Sequence, residues 1–126
     1  MNDRMMKNEL YKVQREIKMH GDTFSFYRET LDDYGESTGH ETFVKMVGGL
    51  FHTSKGYISQ SILDATDIHT KGQPKLLATY EEQEEIQNGD YFVLNNNKYK
   101  VIEKNNIQEY NIVCDISLEL MLDGNN

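Results

Sequence analysis

The side chains most capable of chemistry in this chain are its four histidines, its single cysteine and its many carboxylates. The histidines are His20, His40, His52 and His69, and no two of them share the close spacing that zinc sites use. A metal site would have to be assembled from distant loops together with Cys114. The sequence therefore predicts no metal site and no cofactor.

Motifs for nucleophilic catalysis and nucleotide binding are absent as well. No Gly-x-x-x-x-Gly-Lys-Ser/Thr, Gly-x-Gly-x-x-Gly or Gly-x-Ser-x-Gly pattern occurs. Gly48-Gly49 is a lone pair typical of a bend or bulge, and His40-Glu41 is an isolated pair in a turn. Cys114 lies on the apolar face of an alternating run, which favours a core residue. We therefore expect that the chain is not an enzyme.

Composition restricts the remaining classes of function. The chain has 126 residues, a net charge of −8, 37% hydrophobic residues and no Trp, which favours one domain with a modest core. This acidic surface opposes binding to nucleic-acid phosphates. No apolar run reaches the length of a membrane span and no signal sequence is evident, so we expect a soluble protein made in a cytoplasm, with no membrane partner. One cysteine excludes an internal disulfide.

The second half of the chain predicts antiparallel strands separated by turns. Residues 110–120 alternate with period two, which is typical of a half-buried strand. One face would carry Tyr110, Ile112, Cys114, Ile116, Leu118 and Leu120, and the other Asn111, Asp115, Ser117 and Glu119. The other predicted strands are 74–80, 91–94 and 99–103, joined through turns at 87–90 and 95–97.

The first half predicts a helix followed by two strands. Residues 2–19 place Met6, Leu10, Val13 and Ile17 on one helical stripe, which either lies against the sheet or docks on a partner. Strands follow at 22–30 and 42–47, with a polar hairpin turn at 32–41. The acidic run 81–85 is interpreted as a solvated turn or short helix, or else as a charged lining or a docking patch for a basic surface.

The stretch Gly48–Lys75 differs from the rest of the chain. Three lysines and two aspartates are its charged side chains, a net charge of +1, and it contains the only proline. Insertions of this length within a compact domain are uncommon and often functional. The stretch is therefore either a functional projection or ordinary sheet plus loop. The residues alone predict an antiparallel sheet or small barrel of one domain.

Four segments together resemble the small neck proteins of tailed phages. They are Lys75-Leu76-Leu77, Ile86-Gln-Asn-Gly-Asp90, Asn97-Lys-Tyr-Lys-Val-Ile102 and Ile112-Val-Cys-Asp-Ile-Ser-Leu-Glu119. Their order is similar to that in the prophage family typified by YqbH and XkdH, which is related to siphophage head-completion (stopper) proteins. The resemblance covers about residues 42–120.

This resemblance implies a mainly β fold: a small antiparallel β-barrel (22–47 and 74–122), an N-terminal helix (2–19) and a long inserted loop (48–75). It also implies a structural head–tail connector that forms a ring below the portal and its adaptor, next to tail-completion proteins. The inserted loops would converge to close the DNA channel. Carried over by position, the channel residues would be Gly48, Gly49, Leu50, Phe51, His52, Lys55, Tyr57, Ile58 and Lys71.

We accordingly expect a protein of the virion neck that is assembled in the host cytoplasm and faces packaged DNA without sequence-specific binding. In isolation it should be a monomer, because its acidic subunits repel one another. One alternative is a tail-completion or adaptor protein without a gate. Another is a single-stranded nucleic-acid-binding barrel of OB type, in which Tyr91, Phe92 and Tyr99 form a stacking platform beside a basic cluster. That cluster would consist of Lys98, Lys100 and Lys104.

Overall fold

The computed structural model describes residues 3–53 and 73–121, which form a six-stranded antiparallel sheet closed into a barrel, with an N-terminal helix. Around the barrel the strands follow the order β1-β2-β3-β6-β5-β4. The predicted mainly β fold class is confirmed. The elements are α1 (Asp3–His20), β1 (Asp22–Leu31), β2 (Ser37–Thr53), β3 (Pro74–Thr79), α2 (Tyr80–Gln83), β4 (Tyr91–Leu94), β5 (Asn97–Asn106), a 3-10 turn (Ile107–Glu109) and β6 (Val113–Met121).

The barrel interior is packed around the ring of Phe92, which is fully buried. Its centroid lies 4.9 Å from that of Phe24, 5.2 Å from Phe26 and 5.6 Å from Tyr99. The first pair is tilted, the second edge-on and the third stacked, and such ring pairs add to the stabilisation that burial provides. The other buried side chains of this core are Val47, Leu76, Ala78, Ile86, Val101, Cys114, Ile116 and Leu118.

The last strand confirms the predicted alternation only in its second part. Residues Cys114, Ile116 and Leu118 point into the barrel, as predicted. The strand itself begins at Val113, because the 3-10 turn and the positive φ of Asn111 (61°) interrupt an extended chain before it. Asp115 is on the opposite face but is only 8% exposed, since side chains of neighbouring strands cover it.

The hairpin between β1 and β2 is longer than the sequence predicts. Asp32 closes the turn: its Oδ1 accepts hydrogen bonds from the backbone N–H of Tyr34 (2.8 Å) and Glu36 (3.0 Å). Gly35 adopts a φ of 81°, which glycine tolerates without strain. The turn therefore ends at Glu36, and β2 starts at Ser37. The predicted turn at 32–41 is therefore too long, and the predicted return strand at 42–47 is too short.

The predicted boundaries of the inserted loop, Gly48 and Lys75, are wrong at both ends. Residues 48–53 continue β2, and the ladder runs from the Gly49–Ala78 pair to the Thr53–Pro74 pair. Gly49 allows this close approach, since a Cβ there would lie 2.7 Å from Leu76 Cδ1 and 2.9 Å from the Leu77 carbonyl oxygen. Residues 54–72 lie outside the described part of the chain.

Helix α1 lies across the outer surface of β2, β3 and β6. Leu10 and Ile17 are buried there with Leu77, Ile112 and Val113. The structure shows that this stripe packs against the sheet of its own chain, which is the first of the two interpretations. The helix ends where Gly21 donates its N–H to the Ile17 carbonyl at 2.9 Å.

The connection from β3 to β4 covers one end of the barrel. It contains α2, as expected for a short helix in the acidic run. Glu82 Oε1 accepts the N–H of Gly48 at 2.9 Å, while Gln83 and Ile86 are buried at 2% and 1% exposure. The run is therefore partly solvated and partly a cover of the core.

The ladder predicts where the chain between β2 and β3 can be shortened. Thr53 and Pro74 are paired neighbours, so a short turn suffices to join β2 to β3. Replacing residues 54–72 by a short Gly-Ser link should keep cooperative thermal unfolding. The same link in place of residues 50–71 removes Leu50 and Phe51 from the two cores and should abolish it. Loss of folding with the first replacement would contradict this.

Burial predicts the behaviour of Cys114. Desolvation raises the pKa of its thiol to about 11, so the folded protein should react slowly with thiol reagents near neutral pH. Cys114→Ser should cost about 1–3 kcal/mol of unfolding free energy, because a hydroxyl enters an apolar site. Cys114→Ala introduces no hydroxyl and should cost less in the same denaturant titration. Equal labelling rates for folded and unfolded protein would contradict the burial.

Candidate interaction surfaces

One ion pair holds the seam where the barrel closes. Strands β1 and β4 share a single ladder pair, Tyr27–Tyr91. Beside it Arg28 binds Asp90 through two bonds, Nε to Oδ1 at 2.7 Å and Nη2 to Oδ2 at 2.9 Å. Asp90 also accepts the N–H of Gln87 at 2.8 Å and is 1% exposed. Its hydrogen bonds and charge raise the pKa of Arg28. Such bidentate pairs are among the stronger protein hydrogen bonds.

An aromatic and charged strip covers the outside of the same seam. The ring of Tyr27 lies 5.7 Å from Phe43 and 6.0 Å from Tyr91, measured between centroids. Lys98 Nζ is 4.0 Å from the Tyr91 ring centroid and 3.0 Å from Glu29 Oε1. Hydrogen bonds from Ser37 and Lys98 lower the pKa of Glu29. The strip therefore stabilises the ionised form of Glu29 at the root of the β1–β2 hairpin.

A second polar cluster joins three strands beside the chain that leads to residues 54–72. Asp115 of β6 contacts His52 Nε2 of β2 at 3.2 Å and Lys75 Nζ of β3 at 3.5 Å. In a catalytic site, the carboxylate of a His–Asp pair can orient the imidazole as the base that activates a nucleophile. Cys114, however, points to the other side of the sheet, into the barrel. The two contacts of Asp115 therefore link β2, β3 and β6 at this point.

The longest exposed stretch among the described residues is the outer part of the β1–β2 hairpin, residues 30–43, which we name the hairpin arm. Every residue of the arm is exposed. It carries no Lys or Arg, and its acidic side chains are Asp32, Asp33, Glu36 and Glu41. Exposed apolar side chains accompany them: Leu31 at 58%, Tyr34 at 88% and Phe43 at 51%. The polar composition of this region predicts a turn over most of its length; the spacing of these apolar residues in a polar run is the signal that points to an extended arm.

The predicted channel residues divide into two groups. Gly48, Gly49, Leu50, Phe51 and His52 belong to β2 and hence to the barrel wall. Phe51 packs against the core rings, Leu50 lies under α1, and His52 contacts Asp115. These placements separate side chains that the prediction grouped together.

The remaining predicted channel residues, Lys55, Tyr57, Ile58 and Lys71, lie outside the described residues.

The predicted docking stripe on α1 faces the barrel. Leu10 and Ile17 are 6% and 3% exposed, and Met6 and Val13 are partly buried. A partner could reach this stripe only by displacing α1 from the sheet.

The aromatic platform of the OB-type alternative is not formed. Phe92 is fully buried, Tyr91 is 5% exposed, and Tyr99 packs at 5.0 Å from the Phe51 ring. Among the cations, Lys98 pairs with Glu29 and Lys104 donates to the Gln83 carbonyl at 3.2 Å. Bases could not stack on Phe92 or Tyr91 without opening the barrel.

Residues 3–53 and 73–121 contain neither a candidate metal site nor a helix that could span a membrane. Within these residues no group of three or more His, Cys, Asp or Glu side chains could hold a metal ion. No helix in the same ranges is long and apolar enough to cross a membrane.

Comparison with protein-family models, with curated proteins and with solved structures finds no match to this chain.

The seam predicts a large effect for a single substitution. Arg28→Ala leaves the buried Asp90 carboxylate with the Gln87 N–H as its remaining donor, which should cost on the order of 2–4 kcal/mol of unfolding free energy. Lys45→Ala is the matched control, because its partner Glu85 lies at 3.7 Å and is solvent-exposed, so the loss should be less than about 1 kcal/mol. Similar losses for both variants in urea titrations would contradict the role of the seam.

The lowered pKa of Glu29 predicts a pH-dependent contribution to stability. Folding favours the carboxylate, so its contribution is present above the unfolded pKa and is lost as the pH falls through the lower, folded pKa. The difference in unfolding free energy between the native chain and Glu29→Gln should therefore shrink from about pH 6 to about pH 3. The same comparison in a Lys98→Met background should vary less with pH. A difference that is constant over this range would contradict the assignment.

Proposed function

We propose that this chain is a structural head–tail connector of a tailed phage or prophage neck, of the head-completion type. The observation that carries the proposal is a closed barrel with a core of its own side chains, from which an acidic hairpin arm of exposed residues projects. The described part of the barrel has an apolar core of packed side chains, and together with a projecting arm this favours assembly with other proteins over chemistry on a small molecule.

The residues that carry the resemblance have defined roles in this barrel. Gly89 adopts a φ of 99° and donates its N–H to the Val101 carbonyl at 2.8 Å. Asp90 forms the ion pair at the seam, and Val101 and Tyr99 pack against the core. The residues of this motif therefore contribute to closure of the barrel.

The charge of the chain fits a position next to packaged DNA. A net charge of −8 disfavours adhesion to phosphates, so DNA could pass a ring of such subunits without being held. The expected partners are the portal and its adaptor on one side and tail-completion proteins on the other. The expected assembly is a homo-oligomeric ring that forms on that template, while the isolated chain is a monomer.

The burial of the aromatic rings weakens the nucleic-acid-binding alternative. An adaptor or tail-completion role without a gate needs the same barrel and the same exposed arm. It differs only in whether the chain between β2 and β3 closes the channel, and that closure stays a prediction of the resemblance. Retention of DNA in assembled phage particles distinguishes the two roles.

The decisive experiment removes the gene from a phage or prophage that encodes this chain. Filled heads and free tails should then accumulate unjoined in electron micrographs, and the intact gene supplied in trans should restore joined particles. Normal particles without the gene would overturn the proposal. Complementation by the chain with residues 54–72 replaced by a short link addresses the gate: heads that lose DNA indicate a stopper, and sealed, joined particles indicate an adaptor.

A further inference from the structure

The outer face of α1 is a basic stripe on an acidic protein. Arg4, Tyr11, Arg15 and Lys18 are spaced by seven, four and three residues, which places them on one side of the helix. They lie opposite the buried stripe, and all four are exposed. No ion pair within the described residues involves the three cations of this stripe.

The net charge of the helix contrasts with that of the chain. Five basic and three acidic side chains give α1 a net charge of +2, whereas the whole chain carries −8. The acidic residues Glu9 and Glu16 lie on a flank of α1 rather than in the stripe, where they pair with Lys12 and His20. The stripe therefore presents positive charge around the ring of Tyr11, without a carboxylate between the cations.

The hairpin arm has the complementary character. Its four carboxylates form no ion pair with any described residue, and Leu31, Tyr34 and Phe43 lie among them. At its root Glu41 stands directly opposite Glu29 in the ladder. Like charges in this position destabilise a sheet, and Lys98 pairs with Glu29 alone. An external cation near Glu41 would thus stabilise the arm.

The arm does not reach the helix of its own chain. No hydrogen bond or ion pair joins residues 30–43 to the basic stripe in the described structure. Strand β1 separates the end of α1 from the arm: from Asp22 to Thr30 it extends about 25 Å. The acidic arm of one copy therefore does not bind the basic stripe of the same copy, and each surface can contact another molecule.

We propose that the hairpin arm of one protomer binds the basic stripe of α1 on a second copy of this chain. Opposite charge, with exposed apolar side chains on both surfaces, selects a second copy over an unrelated basic protein, because one chain carries both halves of the contact. The two halves are different surfaces, so the contact is head to tail and can close into a ring. The inference rests on the ring in the proposed function and names the subunit contact within it.

The charge of the whole chain sets the strength of this contact. Two copies at −8 repel each other, so the attraction of arm and stripe should be weak in solution and should fall as salt screens it. A template that holds the copies side by side raises their effective concentration and favours closure. This agrees with a monomer at low micromolar concentration.

A charge exchange tests the contact in the full-length chain. The helix variant is Arg4→Glu, Arg15→Glu and Lys18→Glu. The arm variant is Asp33→Lys, Glu36→Lys and Glu41→Lys, and it leaves Asp32 in place because that side chain closes the turn. The matched control reverses three exposed carboxylates elsewhere, Glu81→Lys, Glu84→Lys and Glu103→Lys.

Sedimentation equilibrium from about 10 µM to about 1 mM, at low salt, measures self-association. The native chain should associate within this range. Each of the two variants alone should associate at least about tenfold more weakly, since arm and stripe then carry like charge. An equimolar mixture should regain association to within about threefold of the native chain, because each arm meets a stripe of opposite charge. The control should not fall below the native chain.

Zero-length carbodiimide cross-linking of mixed unlabelled and ¹⁵N-labelled native chain provides a test that needs no variant. Cross-links between Lys18 of one copy and Asp33 or Glu36 of another are expected. A native chain that stays monomeric at about 1 mM, a mixture that is not restored, or intermolecular cross-links that avoid these residues would overturn the contact. Salt-sensitive oligonucleotide binding that the helix variant abolishes would instead assign the stripe to phosphates.

Complementation of phage particles and association in solution test the connector role and the arm–stripe contact separately. The native gene could restore joined particles while the mixture of helix and arm variants does not associate in solution. In that case the connector role stands and the contact between arm and stripe is wrong. If deletion of the gene leaves particles normal, the connector role falls whatever the exchange shows.

Discussion

The pairing of Arg28 with Asp90 is the interaction on which the closed barrel depends. Strands β1 and β4 contribute one ladder pair at the seam, so backbone hydrogen bonds alone hold it weakly. A buried carboxylate is unfavourable unless it is paired, and here the guanidinium and the Gln87 N–H occupy both of its oxygens. Since Asp90 directly precedes β4, the pair also fixes where Tyr91 and Phe92 enter the fold.

Closure determines which surfaces remain for other molecules. With the seam shut, the ring of Phe92 is surrounded by those of Phe24, Phe26, Phe51 and Tyr99. The outside is covered in two places, by α1 and by the cluster of His52, Lys75 and Asp115 around one end of β2 and β3. Among the described residues the hairpin arm is the longest exposed stretch, and the proposed recognition is therefore placed there.

Strand β2 connects these features within one element. Its first part forms the arm, its middle part is barrel wall, and its last part leads to residues 54–72. Gly49 stands where α1, β1 and β3 come closest: a Cβ at Gly21 would lie 2.7 Å from the Gly49 carbonyl oxygen. Because neither glycine has a side chain, the end of α1 can approach β2 and position the basic stripe. The acidic arm and the basic helix are thus held by the same strand.

The sequence by itself determined the elements whose pattern is local. The stripe of α1 and the alternation of Cys114, Ile116 and Leu118 follow from periodicity, and burial confirmed them. The four residues of β4 follow from a short apolar run bounded by turn residues, and the structure has the same bounds. The mainly β class and the absence of an internal disulfide required only composition and pattern. These predictions hold because the periods of helix and strand are properties of the backbone alone.

Only the tertiary structure decided the elements whose partners are distant in sequence. Nothing local shows that Gly49 pairs with Ala78, or that Arg28 meets Asp90 across the seam. Glycines that look like a loop become strand when a neighbouring backbone needs the space, and polar residues that look like a turn become strand when a ladder forms. The ends of β2 and the exposure of the arm depend on pairing between remote segments, and such pairing leaves no period in the sequence.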